Sequence, residues 1–252
     1  MKRIIFKALC NSIVGWLIGV LFNYKIPDLR WRNFRFKVDK NFVRSQQIAS
    51  IFWGFYESAE IRLIEKYLKG NRDVLELGGS IGIVSSHIVS KLIDARRLIT
   101  VEANPNLIEL ITTNLRNHSR GEGIFEVENC ALAYFKDSIT FLASENNTES
   151  RVISDSESGK SHVSVRACTL DYLVEKNNLS DFVLVCDIEG SEIEFLLHEK
   201  KALQKCNQLF IELHETGFEG VKYHVKDLME LIKTKHQFNL VEQQGFVFFF
   251  SK

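Results

Sequence analysis

The sequence predicts an α/β protein built on a doubly wound, mostly parallel seven-stranded sheet, with a C-terminal antiparallel hairpin and an apolar N-terminal helix. Three observations predict it. From Gly70 onward, short apolar runs alternate with helical patterns, the order that repeated strand–helix units leave in a chain. The closing segment "FNLVEQQGFVFFFSK" reads as two strands about a turn near Gly245. The first strand, Asp73–Leu77, passes into a helix through three glycines, Gly78, Gly79 and Gly82. Such a strand-to-helix turn is the usual ligand-binding corner of a doubly wound sheet.

Each element has its own signal. "MKRIIFKALCNSIVGWLIGVLFNYK" sets basic residues before an uncharged run of 17 residues, Ala8–Tyr24. In "PDLRWRNFRFKVDKNF", Trp31, Phe34, Phe36 and Val38 hint at strand alternation. "IASIFWGFYESAEIRLIEKYLKG" is one helical pattern ending at a glycine cap. After the strand at 73–77 come a helix at about 82–93 and a strand at 97–103. The helix at 104–118 has Asn104 to cap it and Pro105 in its first turn. A third strand is read over 124–133. "SITFL" and "HVSVRAC" then flank a polar stretch, 144–161, as a hairpin with a long loop. That loop suits either plain solvation or the shaping of a substrate pocket. "TLDYLVEKNNL" is a short helix with a Thr cap, and "DFVLVCDIEG" and "NQLFIELHE" are the fourth and fifth buried strands. "SEIEFLLHEKKALQKC" and "VKDLMELIKTK" read as helices.

Bulk properties narrow the class. The chain has 252 residues, with 45% apolar and 25% charged, as in ordinary soluble domains. Thirty-two basic residues balance 32 acidic ones, which argues against a dedicated nucleic-acid binder. Cys10, Cys130, Cys168, Cys186 and Cys206 form no C-x-x-C pair, and several lie in apolar runs. They read as small buried hydrophobes in a reducing, cytoplasmic compartment. The N-terminal segment, residues 4–24, leaves three readings open. It is a helix packed on the domain, a membrane-associated anchor, or a cleaved signal, although no small-x-small cleavage site follows it. An anchor would place the protein at the inner face of the membrane.

The glycine turn has a counterpart. Glu102 ends the second strand, 20 residues after Gly82, where an acid accepts hydrogen bonds from a ribose. Gly79 and Gly82 lack Cβ atoms, so a ligand can approach the backbone. The following helix N-terminus favours a carboxylate or phosphate. Nicotinamide dinucleotides and S-adenosylmethionine both suit such a corner. The run Gly78-Gly79-Ser80-Ile81-Gly82 does not match the dinucleotide fingerprint G-x-G-x-x-G.

Glu76 precedes the glycines in an E-x-G-x-x-x-G pattern, the opening of class I methyltransferases. With "VLELGGSIG", "VEANPNLIELITTNL", "TLDYL", "DIEGSEIEFL" and "IELH" in that order, the chain resembles the FkbM-type S-adenosylmethionine-dependent methyltransferases over residues 55–250. It departs at Cys186, where the family commonly has Lys, and at Gly79-Ser80, where Ala-Asn is frequent. The resemblance implies a Rossmann-like methyltransferase domain over 46–252, preceded by a leader of residues 1–45. It implies that Glu76, Gly78, Gly79 and Gly82 line the methionine side of the cofactor. Glu102 would hold the ribose, with Asn129 and Ala131 near the adenine. Asp187 and Glu189 would face the methyl group. The acceptor it implies is a hydroxyl of a sugar, glycolipid or secondary metabolite, lipid-linked if the leader is an anchor.

Methyl transfer to a hydroxyl needs an in-line approach and removal of a proton. Asp187, Glu189 and His214 are the candidate bases, although His214 also suits a purely structural place. Asp187, Glu189, Glu212 and His214 fall near strand ends, which allows Mg²⁺ without demanding it. Two rival functions remain at this stage. One is an NAD(P)-dependent oxidoreductase, and the other is a non-catalytic, membrane-tethered assembly factor.

Overall fold

A computed structural model describes residues 2–25, 28–31, 33–39, 42–119, 124–142 and 162–252. The elements run in chain order: α1 (Lys2–Leu9), α2 (Ser12–Lys25), β1 (Asp28–Trp31), β2 (Phe34–Lys37), α3 (Ser45–Phe52) and α4 (Ser58–Tyr67). Next come β3 (Asp73–Leu77), α5 (Ile83–Lys91), β4 (Arg97–Glu102), a 3₁₀ turn, α6 (Ile108–His118), β5 (Ile124–Asn129), β6 (Ala131–Leu132), β7 (Ser138–Leu142) and β8 (His162–Cys168). The chain ends with α7 (Leu170–Lys176), β9 (Phe182–Cys186), α8 (Glu192–His198), α9 (Lys201–Lys205), β10 (Cys206–Glu212), β11 (Thr216–Phe218), β12 (Val221–Tyr223), α10 (Val225–Thr234), β13 (Asn239–Gln244) and β14 (Val247–Ser251).

Seven strands form the central sheet in the order β13-β14-β10-β9-β3-β4-β5. β3 pairs in parallel with β4 on one side and β9 on the other, and β5 and β10 extend the parallel set. β14 alone runs against its neighbours, inserted between β10 and β13. Because side chains alternate along a strand, each strand feeds two cores. Val74 and Val183 pack with Ile61, Ile88 and Leu115 on one face; Leu75 and Leu184 pack with Leu173, Phe195 and Ile232 on the other. The chain winds away from β3 in both directions, so the carboxyl ends of β3 and β9 lie side by side at the switch point.

The structure departs from the sequence reading in five places, one of them the helix read through "SEIEFLLHEKKALQKC", which is α8 and α9, parted where Glu199 is extended. The apolar N-terminal run is two helices, broken between Leu9 and Ser12, where the Asn11 side chain accepts the Val14 N–H (2.9 Å) and so caps α2. The single helix read through "IASIFWGFYESAEIRL" is α3 and α4, broken at a turn that includes Gly54. The strand read over 124–133 splits at Cys130, and β6 leaves the main sheet to pair with β8. The short hairpin of β11 and β12 was not read at all. The polar stretch at 144–161 lies outside the described residues, although its flanks pair as expected, β7 against β8.

The leader hairpin docks on the body. Asn114 on α6 accepts the Lys37 N–H (2.7 Å) and donates to the Lys37 carbonyl (3.0 Å), which extends the strand edge with a side-chain amide. Phe34 stacks on His87 of α5, 3.9 Å between ring centres.

Candidate active site

A cavity of about 460 Å³ opens at the switch point. Its size is that of a cofactor pocket. Its wall includes Glu102, Ala103, Asn104, Leu107 and Ala131 at the β4 end, and Asp187, Glu189 and Glu57 at the β9 end, with the Tyr56 hydroxyl 3.3 Å from Ser80 Oγ.

The glycine turn positions the first end. Gly78 has φ +93°, and a Cβ there would fall 1.9 Å from the Asp187 carbonyl oxygen. Only glycine lets β3 and β9 close up at this point. The turn then ties itself to β4. Gly78 and Gly79 donate to the Val101 carbonyl (2.9 and 3.1 Å), and Ser80 N–H donates to Glu102 Oε2 (2.8 Å). Asn104 N–H donates to Glu102 Oε1 (2.7 Å). Both carboxylate oxygens are thus oriented by backbone, and each retains a lone pair for a ligand hydroxyl.

Several expected residues lie outside the cavity wall. A Cβ at Gly79 would meet Thr100 Cγ2 at 2.4 Å, and one at Gly82 would meet Ile111 Cα at 3.1 Å. What approaches these two glycines is β4 and α6, not open space. Glu76 is 1% exposed and accepts hydroxyls from Ser85 (2.5 Å) and Thr100 (2.7 Å). It fastens β3 to α5 and β4. Burial raises its carboxyl to about 7. Asn129 donates to the carbonyls of Glu102 (2.8 Å) and Ala103 (3.0 Å), so it braces the end of β4 from outside. Gly78, Glu102, Ala131, Asp187 and Glu189 do line the cavity.

Behind Asp187 and Glu189, one imidazole meets four carboxyls, although His214 itself, like Glu192 and Glu212, is not among the residues that line the cavity. His214 Nδ1 lies 3.1 Å from Glu192 Oε1. Its Nε2 lies 3.5 Å from Glu189 Oε2, and 3.9 Å from both Asp187 Oδ1 and Glu212 Oε1. The hydrogen bond that His214 Nδ1–H donates to fully buried Glu192 dominates and lifts His214 to about 9, with the charges of Asp187 and Glu189 adding. His214 is therefore an imidazolium at neutral pH. Burial, then the charges of Glu57, Glu212 and Glu189, pushes Asp187 well above the usual carboxylate range. Burial and Glu212 raise Glu57 to about 7. Two groups, Asp187–Glu189–His214 and Glu57–Asp187–Glu212, each hold their ligand atoms within 4.8 Å of one another. Oxygen-rich sets of this kind suit Mg²⁺.

Glu57, Tyr56 and Glu192 were not singled out in the sequence. Gly54, inside an apolar pattern, was the available sign that the helix stops and turns its next residues toward the sheet. Thr216, Gly217 and Phe218 of β11 also reach the cavity wall.

A doubly wound sheet with an acid at the end of its second strand and a cavity at the switch point defines a nucleotide-cofactor fold. Residues 80–248 match the methyltransferase FkbM domain, more than half of the chain, and the protein belongs to that family. Among solved structures, a TehB-like SAM-dependent methyltransferase from Corynebacterium glutamicum is similar at 15% identity, covering 77% of this chain and 86% of that one, with a TM-score of 0.37. WbdD is similar at 12% identity, covering 76% of this chain and 38% of its own, with a TM-score of 0.41. SMU.776, solved with SAH, shares 10% identity over 75% of this chain and 48% of its own, with a TM-score of 0.42. The chain spans less than half the length of the last two. The comparison with curated proteins gave no match.

Proposed function

We propose that the protein transfers a methyl group from S-adenosylmethionine to a hydroxyl of a sugar, glycolipid or secondary metabolite. The observation that carries this is that one cavity is lined both by an acid oriented by backbone N–H groups, Glu102, and by the carboxyls of Asp187, Glu189 and Glu57. Glu102, beside the apolar wall of Ala103, Leu107 and Ala131, suits a ribose and its base. The carboxylate end suits the cationic methionine moiety. When bound, S-adenosylmethionine supplies an electrophilic methyl on a sulfonium. Asp187 takes the acceptor proton: it lines the cavity at the carboxyl end of β9, and burial with the neighbouring Glu57, Glu212 and Glu189 charges raises its basicity. Protonated His214 holds Asp187 and Glu189 in place and offsets their repulsion. The acceptor class rests on the FkbM family alone. The buried thiols suit a cytoplasmic setting.

The deciding experiment is calorimetric titration with S-adenosylmethionine beside Glu102→Ala. Removing a bidentate acceptor of ribose hydroxyls should weaken binding about 10- to 100-fold. Absence of binding by the parent protein would overturn the reading in favour of a non-catalytic domain. Binding of NADH instead would favour an oxidoreductase. Activity assayed with EDTA reads the metal. Restoration by Mg²⁺ would mean that an ion is used, with Glu57–Asp187–Glu212 and Asp187–Glu189–His214 as the candidate ligand sets, whereas an unchanged rate leaves His214 as the cation of the site.

A further inference from the structure

The neutral total hides a strong asymmetry. Residues 1–45 carry ten basic and two acidic side chains, and the remaining 22 basic and 30 acidic residues follow them. The leader is thus at +8 and the body at −8. Before Asp28 the chain has no acid at all.

The helix at the centre of this leader, α2, is apolar on every side, and its described side chains bury one stripe. A Cβ at Gly15 would lie 1.7 Å from the Ser45 carbonyl oxygen, and one at Gly19 would lie 3.7 Å from Ile48. Ile18, between them in the stripe, is buried. That face is spent on α3. The opposite face is bare: Ile13, Trp16 and Leu17 are 73%, 60% and 49% exposed. With half-buried Val20 they follow the i, i+3, i+4, i+7 spacing of a single helical stripe. More exposed apolar side chains gather where α1 meets the turn after α3. Phe6 packs edge-to-face on Phe55, 5.7 Å between centres, and Trp53 lies against Phe52 at 4.9 Å. All four are exposed.

Length decides how such a surface meets lipid. A 14-residue helix is about 21 Å long, short of the roughly 30 Å hydrocarbon core. No helix among the described residues is long and apolar enough to cross a membrane. A basic segment with exposed Trp, Phe, Leu and Ile lies in the interface instead, with its rings at headgroup level.

We propose that α1, α2 and the α3–α4 turn dock the protein on an anionic lipid surface. The Ile13–Trp16–Leu17 stripe enters the acyl boundary, and the positive charge of the leader is held against the headgroups. Charge selects this occupant over a second copy of the chain, since two leaders face to face would repel, whereas an anionic leaflet attracts. The inference does not depend on the methyl-transfer reading, because vesicle binding and cofactor binding are separate measurements. One consequence does rest on that reading. Phe55 is followed by Tyr56 and Glu57 in the cavity wall, so docking brings the lipid surface to within two residues of the site, and a lipid-linked acceptor is the class served.

The test uses the full chain. Its three tryptophans, Trp16, Trp31 and Trp53, all lie in or next to the leader, so intrinsic fluorescence reports on this region alone. Vesicles of phosphatidylcholine with phosphatidylglycerol should co-sediment the protein and shift its emission to the blue. Phosphatidylcholine alone should do so weakly, and salt should reduce the binding. Trp16→Ser with Leu17→Ser should weaken binding about tenfold or more while leaving cofactor binding and melting unchanged. Lys7→Glu, at an exposed position, should weaken only the anionic component, and it keeps the test open if the double variant folds poorly. Failure to bind anionic vesicles at low salt, or binding equal in both variants and the parent, overturns the proposal. A dimer lost in the double variant, without vesicle binding, assigns the face to a second copy and also overturns it.

Discussion

His214 is the imidazole that Asp187, Glu189, Glu192 and Glu212 share among the described residues, and its charge bears on Asp187 and Glu212. Bonded to Glu192, it stays protonated to about pH 9, so it cannot accept a proton from an acceptor hydroxyl at neutrality. Its charge lowers Asp187 and Glu212, which burial raises. Two substitutions separate the roles. Asp187→Asn should cut the transfer rate about 100-fold or more, as loss of a general base does. His214→Gln should leave a weaker but working enzyme whose pH–rate profile has moved. Without the cation, Asp187 and Glu212 ionise at higher pH, so the acid limb shifts upward and any limb near 9 disappears. A profile of kcat against pH that does not move in His214→Gln would remove the imidazolium from the mechanism. The sequence placed His214 near Asp187 and Glu189 but offered it as a base. It could not show Glu192, whose buried carboxylate fixes the charge, because an acid in the first turn of a helix is ordinary at the surface.

The element that completes the site is the break between α3 and α4. It holds Glu57 at φ +46°, ψ +27°, a left-handed conformation that costs a non-glycine residue about 1 kcal/mol or more. The chain bears that strain where it directs a carboxylate at Asp187. Glu57→Gly should therefore raise the melting temperature, by relieving both the backbone strain and the repulsion. It should also let Asp187 ionise at lower pH, moving the acid limb of the rate profile down. A lower melting temperature in this variant would mean that Glu57 makes a stabilising contact which outweighs its strain. At this scale the sheet was legible, because strand–helix alternation, the Asn104 and Thr169 caps and the Gly245 turn are local signals. The break was not, because "IFWGFY" stays apolar on both sides of Gly54 and only its tertiary packing decides where the helix stops. β11 and β12, three residues each, are too short to show a period. The glycine run was found, but a sequence shows a missing Cβ and not what fills its place. At Gly79 and Gly82 that is Thr100 and Ile111.

Across the whole molecule, burial gathers carboxyls that resist ionisation. It is the leading cause that raises Glu57, Glu60, Glu76, Glu102, Asp187 and Glu212. A carboxyl raised on folding stabilises most below its unfolded value near 4.5, and that contribution is lost as pH rises through its folded value, about 7 for Glu57 and Glu76. His214 acts in the same direction, since its stabilisation is full below the ordinary 6.5 and is lost as pH rises through about 9. The opposing groups include Glu242, held at about 2 beside Lys66, and Glu215, lowered beside His224, which act below the ordinary 4.5, together with His118 and His236, which burial lowers and which add stability as pH rises through the ordinary 6.5. Between about pH 5 and pH 9, then, the carboxyls and His214 should make stability fall as pH rises, with His118 and His236 blunting the fall around 6.5. Glu76→Gln isolates the most deeply buried part. Glu76 Oε2 takes both hydroxyl bonds, and Oε1 is buried with no hydrogen-bond partner among the described residues. A neutral amide keeps an acceptor for Ser85 and Thr100 and never ionises. Calorimetry should find the variant equal to the parent near pH 4 and more stable near pH 8, by about 3 kcal/mol, the worth of a carboxyl moved from 4.5 to about 7. An equal gap at both pH values would mean that Glu76 does not change charge over this range. The slope would then belong to the carboxylates around His214, and His214→Gln would be the variant that alters it.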